Sequence, residues 1–163
     1  VRVLADGGCG PIVAVVPPGE AGERLSSLAE RAGARAIPNP DPEAEQIDSL
    51  RRGLHALGPG SRGAAVLPVD HPRVRSTTVA ALLAAFRERG APIVRPVHGD
   101  RPGHPVLFGR EVWEELDAPD LESGARDVVH RHRAEILEVP VDDSGILIDV
   151  NTREEYDREV EPA

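Results

Sequence analysis

The residues best suited to chemistry follow a short apolar run in the middle of the chain. Residues 64–69 are apolar, the carboxylate Asp70 comes next, and Pro72 interrupts the pattern. A short apolar run bounded by turn signals predicts a strand buried on both faces, which ends here at Asp70. Ligands of open α/β sheets bind at the carboxyl ends of such strands. A carboxylate there suits Mg²⁺, which proteins hold with one or two carboxylates and substrate phosphates; the alternative is that Asp70 only caps the segment that follows.

A second group of oxygen donors lies near the end of the chain. Residues 146–150 predict a short strand, and Asp149 and Asn151 lie at its end. Two strand ends that meet at one edge of a sheet would hold one Mg²⁺ against a triphosphate. The alternative for Asn151 is a plain N-cap, since either Asn151 or Thr152 suits the start of a last helix.

His104 lies between a glycine and a proline. Gly99 and Gly103 permit close backbone approach and positive φ angles. Because the residue before a proline avoids the helical region, His104 is held extended next to Pro105. A histidine placed in this way could donate a hydrogen bond to a phosphate. The alternative is a hairpin with polar tips.

The segment 46–52 is a third candidate. A loop that enters a helix presents free backbone N–H groups to an anion or to the edge of a base, and Ser49 and Arg52 lie in this segment. The same residues would fit a solvated helix face equally well. Two further acidic residues, Asp142 and Asp143, precede Ser-Gly and are interpreted as a turn.

The composition narrows the class of protein. The chain has 163 residues, which suits one domain, and its 28 acidic and 19 basic residues give a formal net charge of −9. This charge argues against a nucleic-acid surface, which needs a clustered basic face. The single cysteine, Cys9, excludes an internal disulfide and favours a cytoplasmic protein. No apolar run approaches the roughly 18 residues of a membrane span, so neither nucleic acid nor a membrane is expected as a partner.

Strands and helices that alternate along the chain must position these residues. Periodicity and turn residues predict strands over 11–16, 34–37, 92–97, 105–108 and 136–141 and helices over 20–31, 76–89, 110–116 and 123–131. The helix over 76–89 is predicted to start with Ser76 as its cap. Alternation of this kind implies a mostly parallel sheet covered by helices, and the turn between 97 and 105 adds an antiparallel hairpin element. The predicted fold is a three-layer, Rossmann-like α/β sandwich.

Several segments, taken in order, resemble one family. They are residues 39–41, 48–54, 66–72, 103–108, 123–126, 139–146 and 149–155. Their order and spacing resemble the MobA-like nucleotidyltransferases, and the segment 103–108 resembles the cytidylyltransferase branch of molybdenum cofactor biosynthesis. Such enzymes bind a nucleoside triphosphate with Mg²⁺; a phosphate on an acceptor attacks the α-phosphorus, and pyrophosphate leaves. Positioning and charge neutralisation dominate catalysis of this kind.

The resemblance implies a function and a role for each candidate residue. The implied activity is the Mg²⁺-dependent transfer of CMP or GMP from CTP or GTP to a phosphorylated acceptor such as molybdopterin. The implied roles are Asp70 as the catalytic residue and metal ligand, Asn151 and then Asp149 as further metal ligands, Ser49 and Arg52 against the nucleotide, and Gly103 and His104 against the acceptor.

The chain departs from the family pattern at its start. The family begins with a strand and a glycine-rich loop that wraps the triphosphate, whereas residues 1–10 match only the end of the helix that follows that loop. The single domain of residues 1–163 is therefore expected to be N-terminally incomplete relative to the family. Two alternatives stay open: a non-catalytic binding or assembly scaffold, and a nucleotidyltransferase with a sugar-phosphate or alcohol-phosphate acceptor. An exposed edge where the first strand would lie favours a homo-oligomer.

Overall fold

The computed structural model describes residues 1–159, which form a mixed α/β fold. In chain order the elements are α1 (Arg2–Asp6), β1 (Val13–Val16), α2 (Gly19–Arg31), β2 (Arg35–Pro38), α3 (Gln46–Ala56), β3 (Gly63–Val66), α4 (Ser76–Arg89), β4 (Ile93–His98), β5 (Arg101–Pro102), β6 (Val106–Gly109), α5 (Trp113–Asp117), α6 (Ala125–Arg131), β7 (Ile136–Pro140) and α7 (Arg153–Glu159). Short 3₁₀ turns cover Arg110–Val112 and Ser144–Leu147. Among these described residues, no helix is long and apolar enough to cross a membrane.

The strands form two sheets. β1 and β2 pair in parallel, and the second sheet has the order β3-β6-β4, with β5 and β7 both paired to β4. β6 is antiparallel to β3 and to β4, whereas β7 is parallel to β4. Because β5 is also antiparallel to β4, the strands β3, β4 and β7 run in one direction and the β5–β6 segment runs against them. The predicted antiparallel element is confirmed.

Helices cover both faces of the larger sheet. The neighbouring residues Ile93 and Val94 of β4 are fully buried and point to opposite faces, as successive strand residues do. Ile93 belongs to a core that includes Leu116 of α5 and other residues of α3 and α6. Val94 belongs to a second core with Leu82 of α4. The predicted three-layer, Rossmann-like sandwich is therefore confirmed.

The strand before Asp70 is shorter than the sequence predicts. β3 ends at Val66, so the prediction that the strand runs to Asp70 is wrong. Pro68 follows β3, and Pro105 precedes the partner strand β6; proline has no N–H group to donate to a ladder. Asp70 consequently lies in a loop beyond the carboxyl end of β3.

The carboxylate of Asp143 accounts for two other differences. The N-cap of α4 is Arg75 and not Ser76, and the Arg75 backbone N–H donates to Asp143 Oδ2 at 2.9 Å. Residues 146–150 do not form the predicted strand, because Ser144–Leu147 is a 3₁₀ turn in which the Gly145 N–H donates to Asp143 Oδ1. A side chain that bonds nearby backbone N–H groups in this way competes with strand pairing.

We predict that Gly145→Ala destabilises the fold. A Cβ at residue 145 would lie 2.2 Å from the carbonyl oxygen of Arg73 and 2.6 Å from its carbon. Backbone atoms in a packed turn cannot move aside freely, so we expect the free energy of unfolding to fall by about 2 kcal/mol, measured by urea denaturation. The control is Gly60→Ala, where a Cβ meets nothing within 4 Å and the change should stay within about 0.5 kcal/mol. Equal losses in both variants would contradict the packing argument.

Candidate functional site

A cleft of about 2240 Å³ runs along β1 and β3 and reaches the loop beyond β3. Asp70, Gly103 and His104 line the cleft in that loop region, and Ser49 of α3 lines it from the other side. Ligands of α/β sheets bind beyond the carboxyl ends of strands, which is where this part of the cleft lies. The fold therefore brings four of the seven candidate residues into one cleft.

Three buried polar atoms in this cleft have no hydrogen-bond partner. They are Asp70 Oδ1 and the Nδ1 atoms of His71 and His104. The Nε2 atom of His71 lies 3.9 Å from Asp70 Oδ1, and the ring centroids of His71 and His104 lie 4.6 Å apart. A buried polar atom without a partner costs about 1–3 kcal/mol, so a cluster of three indicates a place where a ligand supplies the missing partners.

Burial controls the protonation of His104. Desolvation lowers the pKa of the His104 ring below its usual value, and the neighbouring His71 lowers it further. The charge of Asp70 and a hydrogen bond to the backbone of Val66 act in the opposite direction but more weakly. A lowered pKa favours the neutral ring at neutral pH, and a neutral imidazole offers one N–H donor and one acceptor nitrogen.

The backbone around His104 is fixed by two hydrogen bonds. The Gly103 N–H donates to the Pro96 carbonyl at 3.0 Å, and the His104 N–H donates to the Ile146 carbonyl at 3.1 Å. A Cβ on residue 103 would lie 2.3 Å from the oxygen of Ile146. Glycine is therefore required at residue 103 for His104 to reach the cleft in this position.

Asp143 fixes the turn that contacts His104. Its carboxylate is buried, with 3% of the residue exposed, and it accepts hydrogen bonds from the Arg75 N–H, the Thr78 hydroxyl at 2.6 Å and the Gly145 N–H. Sequence reasoning identified only a turn here. No local signal distinguishes this aspartate from its neighbour Asp142, because its other partners are more than 60 residues away in sequence.

The segment 149–151 lies beside Asp70. The Val150 N–H donates to the Asp70 carbonyl at 2.8 Å, and Asn151 Nδ2 donates to Asp149 Oδ2 at 3.0 Å. Asp149 and Asn151 are both exposed. Within residues 1–159 no group of three His, Cys, Asp or Glu side chains is placed to hold a metal ion. A cation at Asp70 would therefore need oxygen ligands from a substrate as well.

The last helix begins after Thr152, so Thr152 and not Asn151 is its N-cap. The Glu155 N–H donates to the Thr152 hydroxyl at 3.2 Å, and the Thr152 N–H donates to Glu155 Oε2 at 2.9 Å. This reciprocal pair is a capping box, in which Thr152 is the cap of α7. The side chain of Asn151 is therefore not used as the cap.

Ser49 of α3 lines the cleft, whereas Arg52 of the same helix does not. Ser49 is half-buried in the cleft, and its hydroxyl accepts a hydrogen bond from Nδ2 of Asn39 at 3.2 Å. Asn39 is 3% exposed. By sequence it lies in the segment 39–41, which resembles the family's nucleotide-lining segment, but it is not among the candidate site residues. Arg52 is exposed and lies outside the residues that line the cleft. Its role in nucleotide binding stays a prediction.

Residues 1–136 match the family model of the MobA-like NTP transferase domain. No curated protein matches the chain. Among solved structures, the chain is similar to the Rv0371c protein of Mycobacterium tuberculosis H37Rv, crystallised as a complex with manganese. The two are 25% identical, with a TM-score of 0.79, and the match covers 99% of this chain and 83% of that one.

Two further solved structures are more distant in sequence. The chain is 21% identical to the molybdopterin-guanine dinucleotide biosynthesis protein A of Archaeoglobus fulgidus, with a TM-score of 0.64, over 90% of this chain and 75% of that one. It is 14% identical to a CMP:2-keto-3-deoxy-manno-octonic acid synthetase complexed with CTP, with a TM-score of 0.61, over 86% of this chain and 76% of that one. These two likenesses support the fold.

We predict that Asp143→Ala costs more stability than a typical surface substitution. The change leaves the Arg75 N–H, the Thr78 hydroxyl and the Gly145 N–H without their acceptor. We expect the free energy of unfolding to fall by about 3 kcal/mol, measured by urea denaturation. The neighbouring Asp142 is exposed, so Asp142→Ala should change stability by about 0.5 kcal/mol or less. Similar effects in the two variants would show that the buried carboxylate does not hold the turn.

Proposed function

Because the chain belongs to the MobA-like NTP transferase domain family, we propose that it transfers a nucleoside monophosphate from a nucleoside triphosphate to a phosphorylated acceptor, with release of pyrophosphate. CTP and GTP are the proposed donors and molybdopterin is the proposed acceptor. Two similar proteins support these two bases, since one is a molybdopterin-guanine dinucleotide biosynthesis protein and the other is a CMP:2-keto-3-deoxy-manno-octonic acid synthetase complexed with CTP. We place the reaction in the cytoplasm.

The observation that carries this proposal is the buried, unpartnered Oδ1 atom of Asp70. A carboxylate oxygen without a donor or a cation is costly to bury. Mg²⁺ fits this atom, because Mg²⁺ is commonly held by one or two carboxylates and completes its shell with substrate phosphates and water. Asp149 and Asn151 are the nearby candidates for a second oxygen ligand, since the Val150–Asp70 hydrogen bond keeps them close. The manganese complex of the Rv0371c protein also supports a divalent cation.

When bound, Mg²⁺ would neutralise charge on the triphosphate. The proposed reaction forms a bond between an oxygen of the acceptor phosphate and the α-phosphorus, and it breaks the bond to the bridging oxygen of pyrophosphate, which leaves with the electron pair. An ionised phosphate needs no proton removed, so the chain needs no general base. Its residues would hold the two phosphates in line and balance their charge.

Ser49 and Asn39 are proposed to contact the nucleotide. The hydrogen bond from Asn39 occupies an acceptor site on the Ser49 hydroxyl, and the hydroxyl proton is then available for a ribose oxygen or a base edge. Because Asn39 is itself fixed by its N–H donating to the Val16 carbonyl at 2.8 Å, the hydroxyl is held in one place. Such pre-organisation reduces the entropy that binding costs.

Gly103 and His104 are proposed to contact the acceptor. The unpartnered Nδ1 of His104 would donate to a phosphate oxygen from the protonated ring, because the hydrogen bond to the Val66 backbone uses the other nitrogen. The negative charge of a bound phosphate favours that protonated form. The backbone of Gly103 lies next to His104 without a side chain in the way. A sugar phosphate or an alcohol phosphate offers the same phosphate group, so these acceptors are alternatives that the assays below must include.

We predict that Asp70→Ala removes Mg²⁺-dependent nucleotide binding and leaves the fold intact. At a hundredfold excess of nucleotide over Kd, binding raises the free energy of unfolding by about 2.7 kcal/mol. A thermal shift assay with CTP, GTP, ATP and UTP, with and without Mg²⁺, measures this increase. The control is Asp100→Ala, on the exposed turn after β4, which should keep the shift. Unchanged Mg²⁺-dependent binding in Asp70→Ala would remove Asp70 from the site, and no shift with any nucleotide in the unchanged chain would favour the non-catalytic scaffold.

We predict that His104→Gln affects the acceptor more than the nucleotide. The loss of one hydrogen bond to a phosphate should raise the KM for the acceptor about tenfold, which corresponds to about 1.4 kcal/mol. The KM for the nucleoside triphosphate should stay the same. His55→Gln, on the exposed side of α3, is the control. A rise in the KM for the nucleotide alone would place His104 on the nucleotide side of the site.

A further inference from the structure

We propose that His71 is a further ligand of the cation at Asp70, and that its imidazole nitrogen makes the site prefer divalent transition metals such as Mn²⁺ over Mg²⁺. The inference rests on the cation that the proposed function places at Asp70. The roles proposed for Asp70 and His104 leave His71 without one, although its ring lines the same cleft.

The ring of His71 is fixed in position before any ligand binds. Its side chain is 12% exposed, and its backbone N–H donates to the Pro68 carbonyl at 3.3 Å. Pro72 follows it, and the residue before a proline avoids the helical region. The contact with the ring of His104, tilted by 52°, restricts the side chain further. A ligand atom that is already in place costs less entropy when it binds.

The distance between His71 and Asp70 suits a shared cation and not a hydrogen bond. Nε2 of His71 lies 3.9 Å from Oδ1 of Asp70, whereas N–H···O hydrogen bonds are about 2.7–3.2 Å long. Nitrogen and oxygen ligands lie about 2.1 Å from Zn²⁺ and ions of similar size, so two ligands of one ion are at most about 4.2 Å apart. One cation can therefore contact both atoms, and it would supply the partner that Oδ1 lacks.

The second ring nitrogen of His71 supports the same role. When Nε2 binds a cation through its lone pair, the proton of the neutral ring is on Nδ1. Metal-bound histidines donate this N–H to a nearby acceptor, yet Nδ1 of His71 is buried and has no partner among the described residues. A phosphate oxygen bound to the same cation is the acceptor that fits. His71 then contacts the cation with one nitrogen and the substrate with the other.

The ring of His104 is less suited to the cation. One of its nitrogens is hydrogen-bonded to the backbone of Val66, which leaves only Nδ1 for a ligand. Of these two described rings, that of His71 is the one with a nitrogen within 4.0 Å of the Asp70 carboxylate. The two histidines therefore divide the work: His71 binds the cation, and His104 binds the acceptor phosphate.

A nitrogen ligand changes which cations the site prefers. Mg²⁺ takes oxygen ligands and loses its water reluctantly, whereas imidazole suits first-row transition metals. Within residues 1–159 no three side chains are placed to hold a metal ion, so Asp70 and His71 supply two ligands, and water and phosphate oxygens supply the others. Mg²⁺ still binds through Asp70 and the phosphates, but His71 adds affinity for the transition metals alone.

Pulsed EPR spectroscopy of bound Mn²⁺ tests this ligand directly, because a coordinated imidazole gives a nitrogen hyperfine coupling. The probe is Mn²⁺ with inorganic pyrophosphate, which contains no nitrogen, so any such coupling comes from the protein. His71→Asn keeps an N–H donor near the position of Nδ1 and has no atom at Nε2, whereas His71→Gln offers an amide oxygen near Nε2. The control is His130→Asn, since His130 also lines the cleft and is exposed.

We expect an imidazole coupling in the unchanged chain and in His130→Asn, and its loss in both His71 variants. In His71→Asn the Kd of Mn²⁺ should rise at least about tenfold, whereas the Kd of Mg²⁺ should change less than about threefold. Bound Mn²⁺ without a nitrogen coupling, or a coupling that persists in either His71 variant, would overturn this inference and leave the proposed function intact. If neither Mn²⁺ nor Mg²⁺ binds, the cation at Asp70 is wrong and the proposed function fails with it.

Discussion

The buried carboxylate of Asp143 connects the elements that carry the candidate site. It accepts hydrogen bonds from the Thr78 hydroxyl in α4 and from the Gly145 N–H in the following turn. The same 3₁₀ turn positions the Ile146 carbonyl, which accepts the hydrogen bond from the His104 N–H. An ionised carboxylate is costly to bury unless donors surround it, so the fold is constrained to keep these donors together. The constraint positions His104 although Asp143 does not touch the cleft region around Asp70.

Asp143 and Asp70 differ in how many hydrogen-bond donors surround their carboxylate oxygens. Asp143 is surrounded by donors, and its carboxylate has a structural role. Asp70 has a buried oxygen without a partner, and the rings beside it, His71 and His104, each have an unpartnered nitrogen. Buried polar groups with all their hydrogen bonds made stabilise a fold, whereas buried polar groups without partners are able to bind a ligand. This contrast separates the candidate binding residues from the structural ones without reference to any relative.

The sequence alone determined the elements, because periodicity and turn residues are local properties. It predicted a mostly parallel sheet with an antiparallel hairpin element between two helical layers. It also identified Asp70 at the end of a strand, and Gly103 and His104 at a hairpin turn, as candidate site residues. Tertiary structure decided everything that depends on contacts between distant segments. The pairing of β3 with β6 ends at Val66 and Val106, where Pro105 precedes β6 and Pro68 follows β3, so the strand stops before Asp70. The donors that bind Asp143 from α4 are more than 60 residues away in sequence, and no local pattern predicts them. The cluster of His71 with His104 arises for the same reason: their rings meet only after two loops that are far apart in sequence are folded side by side.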